Sequence, residues 1–420
     1  MKTGKTVDAA IRTTSRYGRR GAMALVMGGV LLLTAACGDD KGGTGGGGDN
    51  AAAATAGAGG TAAPAGASAE PKTSAAVLAV EPKDGAQDVA PSNALQVSVA
   101  NGKLTTVEVT DKNGKPVEGA ITPDGSGWKP AAALTVGMAY KVNAQAKDAD
   151  GLVAASTTTF TTLTPDKKVS TNDNISDGST YGVGMIVSVN FSKNVKNKDA
   201  VLKGITFETN NGTEVKGHWF GDNRLDFRPA EYWKPDTKVT IKYRLKSVEV
   251  APGLYGDVDK DEPFTVGRSQ IATADAKTHQ MTIERGGRST TVPVTLGADA
   301  TPSWGGTMVI MSKDKVTRMN SQTVGLGGEY DIQDVPHAMR LTTSGTFVHG
   351  NYWANPFGKS NASHGCVAMA DEKGGSDTSV AGKFFNDSMI GDVVKVVNSK
   401  EKTVAPSNGL GGWNVAWANW

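Results

Sequence analysis

Residues 346–369 read TFVHGNYWANPFGKSNASHGCVAM. They hold Cys366, the only cysteine beyond residue 37, with His364 two residues before it and His349 seventeen before it. A cysteine in this company has four readings: an inert core residue, half of a disulfide, a zinc ligand, or a nucleophile activated by a neighbouring base. His349 closes an apolar run and is expected at the end of a strand. In extended backbone His364 and Cys366 point to one face. Gly365 between them leaves room for a substrate carbonyl, and the N–H groups of Gly365 and Cys366 are candidates for an oxyanion hole. On the residues alone His349 and His364 compete evenly for the base. No CxxC or HExxH spacing is present, and a zinc site lacks its fourth ligand.

The N-terminus bears on this choice. Arg12, Arg16, Arg19 and Arg20 precede an apolar run from Ala22 to Leu33, and LTAAC then ends at Cys37. This is signal-peptide architecture. The small residues before Cys37 resemble the lipobox of bacterial lipoproteins, with Leu33 one place earlier than in its strongest form. Residues 1–36 therefore read as a lipoprotein signal peptide and Cys37 as the lipidation site. The mature chain is expected to be exported and anchored by lipid to the outer face of the cytoplasmic membrane, facing the cell wall. A thioether at Cys37 removes the only disulfide partner of Cys366. A free thiol in an oxidising compartment is a liability unless its chemistry is used.

At 420 residues, with 38% hydrophobic and 20% charged, the chain is long enough for two to four domains. A net charge of +2 and the lack of a basic stripe with interleaved aromatics argue against a nucleic-acid partner. Residues 38–70 contain no aromatic residue and no Val, Ile, Leu or Met. Such a stretch cannot bury enough surface to order itself, so residues 37–72 read as a disordered Gly/Ala-rich tether. Residues 73–165 show alternating strands, with Leu95, Val97 and Val99, then Tyr140, Val142, Ala144 and Ala146. Residues 166–267 repeat the layout with Val187, Val189 and Phe191, then Val239, Ile241 and Tyr243. Neither unit shows a convincing helix, and both have the size of an immunoglobulin-like β-sandwich. A third, β-rich unit spans 268–399, with a Gly286–Gly287 hairpin turn, a closing strand in GDVVKVVN and one helix in SVAGKFFNDSM. Residues 400–420 form a tail with Trp413, Trp417 and Trp420. The expected fold class is mainly β: two sandwiches, then a catalytic domain with one short helix and a Trp-rich tail.

HG at 349–350, twelve intervening residues, and SHGC at 363–366 resemble the signature of the L,D-transpeptidases, whose catalytic domain is called YkuD-like. The resemblance covers about residues 269–420, and GDVVKVVN and GLGGWNVAW continue it. Two immunoglobulin-like units behind a lipoprotein signal are similar to the actinobacterial members. The resemblance implies Cys366 as nucleophile, His349 as general base and acid, and the carbonyl of Gly350 as the group that orients the imidazole. It implies that His364, Gly365 and Ser363 shape the catalytic loop and oxyanion hole. Tyr330, Ser344 and Gly345 fall where relatives contact the donor peptide. Ala368 stands where many relatives have Asn, and Trp353 lies in a loop able to cover the site. The implied reaction joins peptidoglycan stem peptides, a donor tetrapeptide and an acceptor amine, into a 3→3 cross-link with release of D-alanine. It needs no metal or organic cofactor, and carbapenem β-lactams are implied inhibitors. An L,D-carboxypeptidase would use the same residues, and a non-catalytic wall-binding lipoprotein is the contrasting class.

Two further features have plain structural readings. Asp257, Asp259 and Asp261 have the alternate spacing of a Ca²⁺ loop but lack its Gly and terminal Glu, so a solvated interdomain loop is expected. The three tail tryptophans are expected to pack against neighbouring domains rather than to stack on glycan.

Overall fold

The computed structural model of the protein describes residues 72–324 and 327–420. The leader, Cys37 and all but the last residue of the expected tether lie outside the described residues.

In the first sandwich, strands Val77–Glu81, Gln96–Ala100, Gly127–Pro130 and Gly119–Ile121 form one sheet. Ala86–Val89, Val153–Thr162, Ala139–Lys147 and Lys103–Asp111 form the other. The period-two pattern acts as strand geometry requires: along Ala139–Lys147, Tyr140, Val142, Ala144 and Ala146 are buried and none of the residues between them is. They meet Leu95, Val97 and Trp128 of the facing sheet in one core.

The second sandwich pairs the sheet of Val187–Phe191 and Arg224–Arg228 with that of Lys238–Arg244 and Asp259–Val266. Here one strand departs from alternation. From Met185 to Val189 every residue is buried, Ser188 included. The reason is a second covering layer. Ile186 belongs to a core that also takes in Val309, Val393 and Leu410, so the sandwich and the C-terminal part of the chain share apolar contacts. A six-residue helix, Lys198–Lys203, was not legible in the sequence. It is too short to show a helical period and buries only Val201.

The tail is held by a buried cation. Arg228 is 1% exposed, and its guanidinium lies 4.8, 5.3 and 4.4 Å from the ring centres of Trp413, Trp417 and Trp420. It donates to the carbonyl of Val415 at 2.7 Å. Burial pulls its pKa down to about 10, which leaves it charged at neutral pH. Desolvating a charge is costly unless it is compensated, and three aromatic faces at about 1 kcal/mol each are of the right size to contribute. Trp413 also donates to Gly184 O at 2.7 Å, and Trp420 to Lys216 O at 2.9 Å. Both acceptors belong to the second sandwich, so the tail straps it to the third unit.

Asp257, Asp259 and Asp261 do not form a solvated loop, because strand Asp259–Val266 begins among them. Asp257 accepts from Thr171 N, Asp259 from Lys246 N, and Asp261 pairs with Arg244. Each carboxylate has its own structural partner.

The third unit is a nine-stranded sheet. Its strands in chain order are β1 (Gln270–Asp275), β2 (Gln280–Arg285), β3 (Arg288–Thr295), β4 (Gly306–Val309), β5 (Ser312–Asn320), β6 (Asp331–Arg340), β7 (Phe347–Asn351), β8 (Val367–Ala370) and β9 (Val393–Val397). Their spatial order is β4-β9-β1-β2-β3-β8-β7-β6-β5. The last strand is thus inserted between β4 and β1 rather than placed at an edge. Only β1·β9 and β7·β8 are parallel. Helix Val380–Asp387 packs Ala381 and Phe384 into the core under this sheet. Its Ser379 cap accepts from Gly382 N at 2.8 Å, satisfying one of the free N–H groups of the first turn.

Candidate active site

All five residues of β7 are buried. Val348 points into the main core with Val367 and Met369. Phe347 and, just before β8, Cys366 point the other way, into a smaller cluster with Met319, Val335 and Ala338. The parallel register sets His349 opposite Ala368, two residues past Cys366. His349 therefore stands in mid-strand, not at the strand's end, because the ladder continues to Asn351.

This face opens on a cavity of about 200 Å³. Its walls include His349, Cys366 and Ala368, the loop residues Ser363 and His364, Trp353, and Tyr330 from the β5–β6 hairpin. Ser344 and Gly345 are not part of the wall. Ser344 is turned to the C-terminal extension, where its N–H donates to Asn408 Oδ1 at 3.1 Å and its hydroxyl accepts from Asn408 Nδ2 at 2.8 Å. Gly345 touches the site through its carbonyl, 3.8 Å from Cys366 Sγ.

His349 is held by its own strand. Its Nδ1 lies 2.8 Å from the carbonyl of Gly350. A carbonyl can only accept, so Nδ1 carries the proton and Nε2 presents a lone pair. The ring is 5% exposed, and burial lowers its pKa against the raising effect of the Gly350 carbonyl. Trp353, 42% exposed, lies nearly parallel to the imidazole with centroids 5.9 Å apart.

Cys366 is a free, buried thiol. Burial pushes its pKa up to about 11, outweighing the Phe347 N–H and the Arg340 guanidinium, which both lower it. With the thiol raised and the imidazole lowered, both groups lining the cavity are neutral at neutral pH. The thiolate expected of an isolated nucleophile is not the resting form in this closed pocket.

Residues 363–366 are not extended. Gly365 has φ +105°, a conformation closed to most side chains, and the chain bends there. His364 and Cys366 consequently reach the same cavity from a bend rather than from one face of an extended strand. Its ring packs at 5.1 Å from Tyr330 and its Nε2 lies 3.6 Å from Glu329 Oε2, on the hairpin across the cavity. Ser363 shapes the bend: its hydroxyl donates to Cys366 O at 2.6 Å and accepts from Gly365 N at 3.3 Å. One of the two candidate oxyanion donors is therefore engaged at rest.

Among the described residues no three His, Cys, Asp or Glu side chains are grouped as metal ligands, so His349, His364 and Cys366 form no zinc set. Over 355 residues, 83% of this chain and 84% of the relative, the sequence is 32% identical to L,D-transpeptidase 2 of Mycobacterium tuberculosis (strain CDC 1551 / Oshkosh).

The chain belongs to the L,D-transpeptidase family.

The profile of the L,D-transpeptidase catalytic domain (YkuD) matches residues 269–395, and that of a bacterial Ig domain matches residues 86–249, across both sandwiches. L,D-transpeptidase 5 of Mycobacterium tuberculosis (strain ATCC 25618 / H37Rv) is 27% identical over 352 residues, 82% of this chain and 76% of that relative. Among solved structures, an L,D-transpeptidase in complex with imipenem is 28% identical with a TM-score of 0.47, covering 56% of this chain and all of its own. The sequence pattern did not point to Met319, Ile332, Val335 or Asn351, which also line the cavity. They are brought in by the β5–β6 hairpin and the end of β7, and their only sequence signal is strand alternation.

Proposed function

We propose that the protein is a peptidoglycan L,D-transpeptidase that forms 3→3 cross-links through a thioester on Cys366. The reading rests above all on one observation. His349 and Cys366 line the same cavity, and the Gly350 carbonyl holds Nδ1 so that Nε2 is the free nitrogen. The Cys366 thiol passes its proton to His349 Nε2 as sulfur bonds to the carbonyl carbon of the third stem residue, the L-centre of a diamino acid. His349 gives that proton to the leaving amine as the C–N bond breaks and D-alanine departs. The side-chain amine of a second stem then attacks the thioester. His349 takes its proton and returns it to the departing sulfur, so the enzyme ends as it began. The Cys366 N–H stabilises the oxyanion in both steps. The Gly365 N–H joins it once substrate draws it from Ser363. Trp353 and Tyr330 wall the donor strand of substrate, and carbapenems, as strained acyl donors, acylate the same sulfur.

Incubation with a purified tetrapeptide stem and mass analysis of the products tests the reaction. D-alanine release with a 3→3 dimer is expected. Release with a free tripeptide and no dimer would replace the transpeptidase reading with a carboxypeptidase. No release at all would leave the non-catalytic wall-binding class.

The localisation follows from the leader alone. With residues 1–36 removed and Cys37 lipidated, the tether lifts the folded domains from the outer face of the membrane toward the wall. Cys37→Ser should move the protein from the membrane fraction to the medium. Continued membrane association of that variant would refute the lipid anchor.

A further inference from the structure

Behind the imidazole lies a second histidine that the reaction above does not use. His337 and Asp371 both have fully buried side chains, and His337 Nδ1 lies 2.7 Å from Asp371 Oδ2. Continuing the antiparallel register Met339↔Val348 along β6 and β7 brings His337 level with Gly350. Asp371 follows the end of β8, where its N–H donates to Asn351 O at 3.1 Å. The carboxylate is thus wedged between three strands. A Cβ built on Gly350 would come within 2.2 Å of Asp371 Oδ2, so the carboxylate lies directly against the peptide whose carbonyl holds His349.

We propose that His337 and Asp371 are a positioning pair for His349, acting through the Gly350 peptide. The proposal rests on the transpeptidase reading of His349.

Three observations make a purely structural role a poor account of the pair. His337 takes φ +49°, a left-handed conformation that is strained for a non-glycine residue in a strand. Its Nε2 is buried and makes no hydrogen bond, standing 3.5 Å from Asp377 Oδ1 in poor alignment. Asp371 has three donors, the N–H groups of Glu372 and Ser376 at 2.8 and 3.0 Å and the His337 ring. Burying two polar side chains with strain and an orphan nitrogen is unfavourable where an apolar pair would fill the same space. Such features concentrate where geometry serves function.

The physical consequence is orientation. The β7–β8 ladder holds the chain through Gly350 and Asn351, and within it the Gly350 carbonyl must stay turned back to His349 Nδ1 if Nε2 is to remain the free nitrogen. Asp371, fixed by three donors, blocks rotation of that peptide from behind. His337 supplies the donor that holds Oδ2 in place. Gly350 has a use here beyond its carbonyl: any side chain at this position would displace Asp371.

Two measurements on the full-length protein test this: the single-turnover rate of acylation by a carbapenem, and the NMR resonance of the His349 Nδ1 proton. His337→Ala and Asp371→Asn should slow acylation by about 10–100-fold, the usual loss when a positioning partner is removed, with carbapenem binding before acylation unchanged. The Nδ1 resonance should weaken or exchange faster. His337→Asn keeps a donor near the Nδ1 position and tolerates positive φ, so it should recover most of the rate lost in His337→Ala. If His337→Ala does not fold, Asp371→Asn and His337→Asn carry the test. Wild-type rates with an unchanged Nδ1 resonance would overturn the proposal. So would rate losses that track the thermal midpoint while that resonance stays intact. If the wild-type protein itself takes no carbapenem, the transpeptidase reading fails instead, and the resonance alone still decides whether the pair orients His349.

Discussion

Cys366→Ala should remove cross-linking and D-alanine release to background while the protein stays folded. Deleting the nucleophile of a covalent catalyst costs on the order of 10⁶-fold where it has been measured in serine proteases. No other free cysteine stands among the described residues to replace it. The cost in stability is small by comparison. Cys366 is 8% exposed and packs beside Phe347 and Met319, so losing one sulfur should cost about 1 kcal/mol. Circular dichroism and a thermal melt alongside the product assay separate the two effects. Residual cross-linking well above background would show that another group carries the acyl chain.

His349→Ala should lower acylation by about 10²–10⁴-fold, the usual value of a general acid–base. The structure favours the upper part of that range. Burial holds the Cys366 thiol near 11, so almost none ionises unaided at neutral pH and attack depends on the imidazole to take the proton. His364→Ala should do less, because its ring faces Tyr330 and Glu329 across the cavity. The pH profile carries an independent sign. Burial lowers the pKa of His349, and only the neutral ring can accept a proton. Activity should therefore persist below the ordinary histidine value of about 6.5 and fall as pH drops through the lowered one. An acid limb at or above 6.5, or a greater loss in His364→Ala than in His349→Ala, would reverse the assignment.

How much of this was legible in the sequence varied with the range of the interaction. Tyr140, Val142, Ala144 and Ala146 announced a half-buried strand because alternation is local. Val187 and Val189 announced one too, but Ser188 gave no sign of burial, since its hydroxyl accepts from Arg224, 36 positions later. His349 and Cys366 were legible through the spacing HG…SHGC. Their neutral resting state was not, because it arises from burial rather than residue type. His349 and His364 compete evenly on residue type, and the positions that separate them, the His364 ring against Tyr330 and His349 Nδ1 on the Gly350 carbonyl, come from the bend at Gly365 and from the strand. The bonds of Ser344 to Asn408 of the extension were not legible either, because 64 residues separate the two. His337 and Asp371 are 34 residues apart, and neither belongs to a motif. Only the register of β6, β7 and β8 brings them behind Gly350.

The central claim is that Cys366 is a nucleophile which becomes acylated. Intact-mass spectrometry after incubation with a carbapenem tests it most directly. The account predicts a single adduct on the wild-type protein, unchanged by a chelator and absent from Cys366→Ala. No adduct, an adduct that forms only after chelation, or one that persists in Cys366→Ala would contradict it.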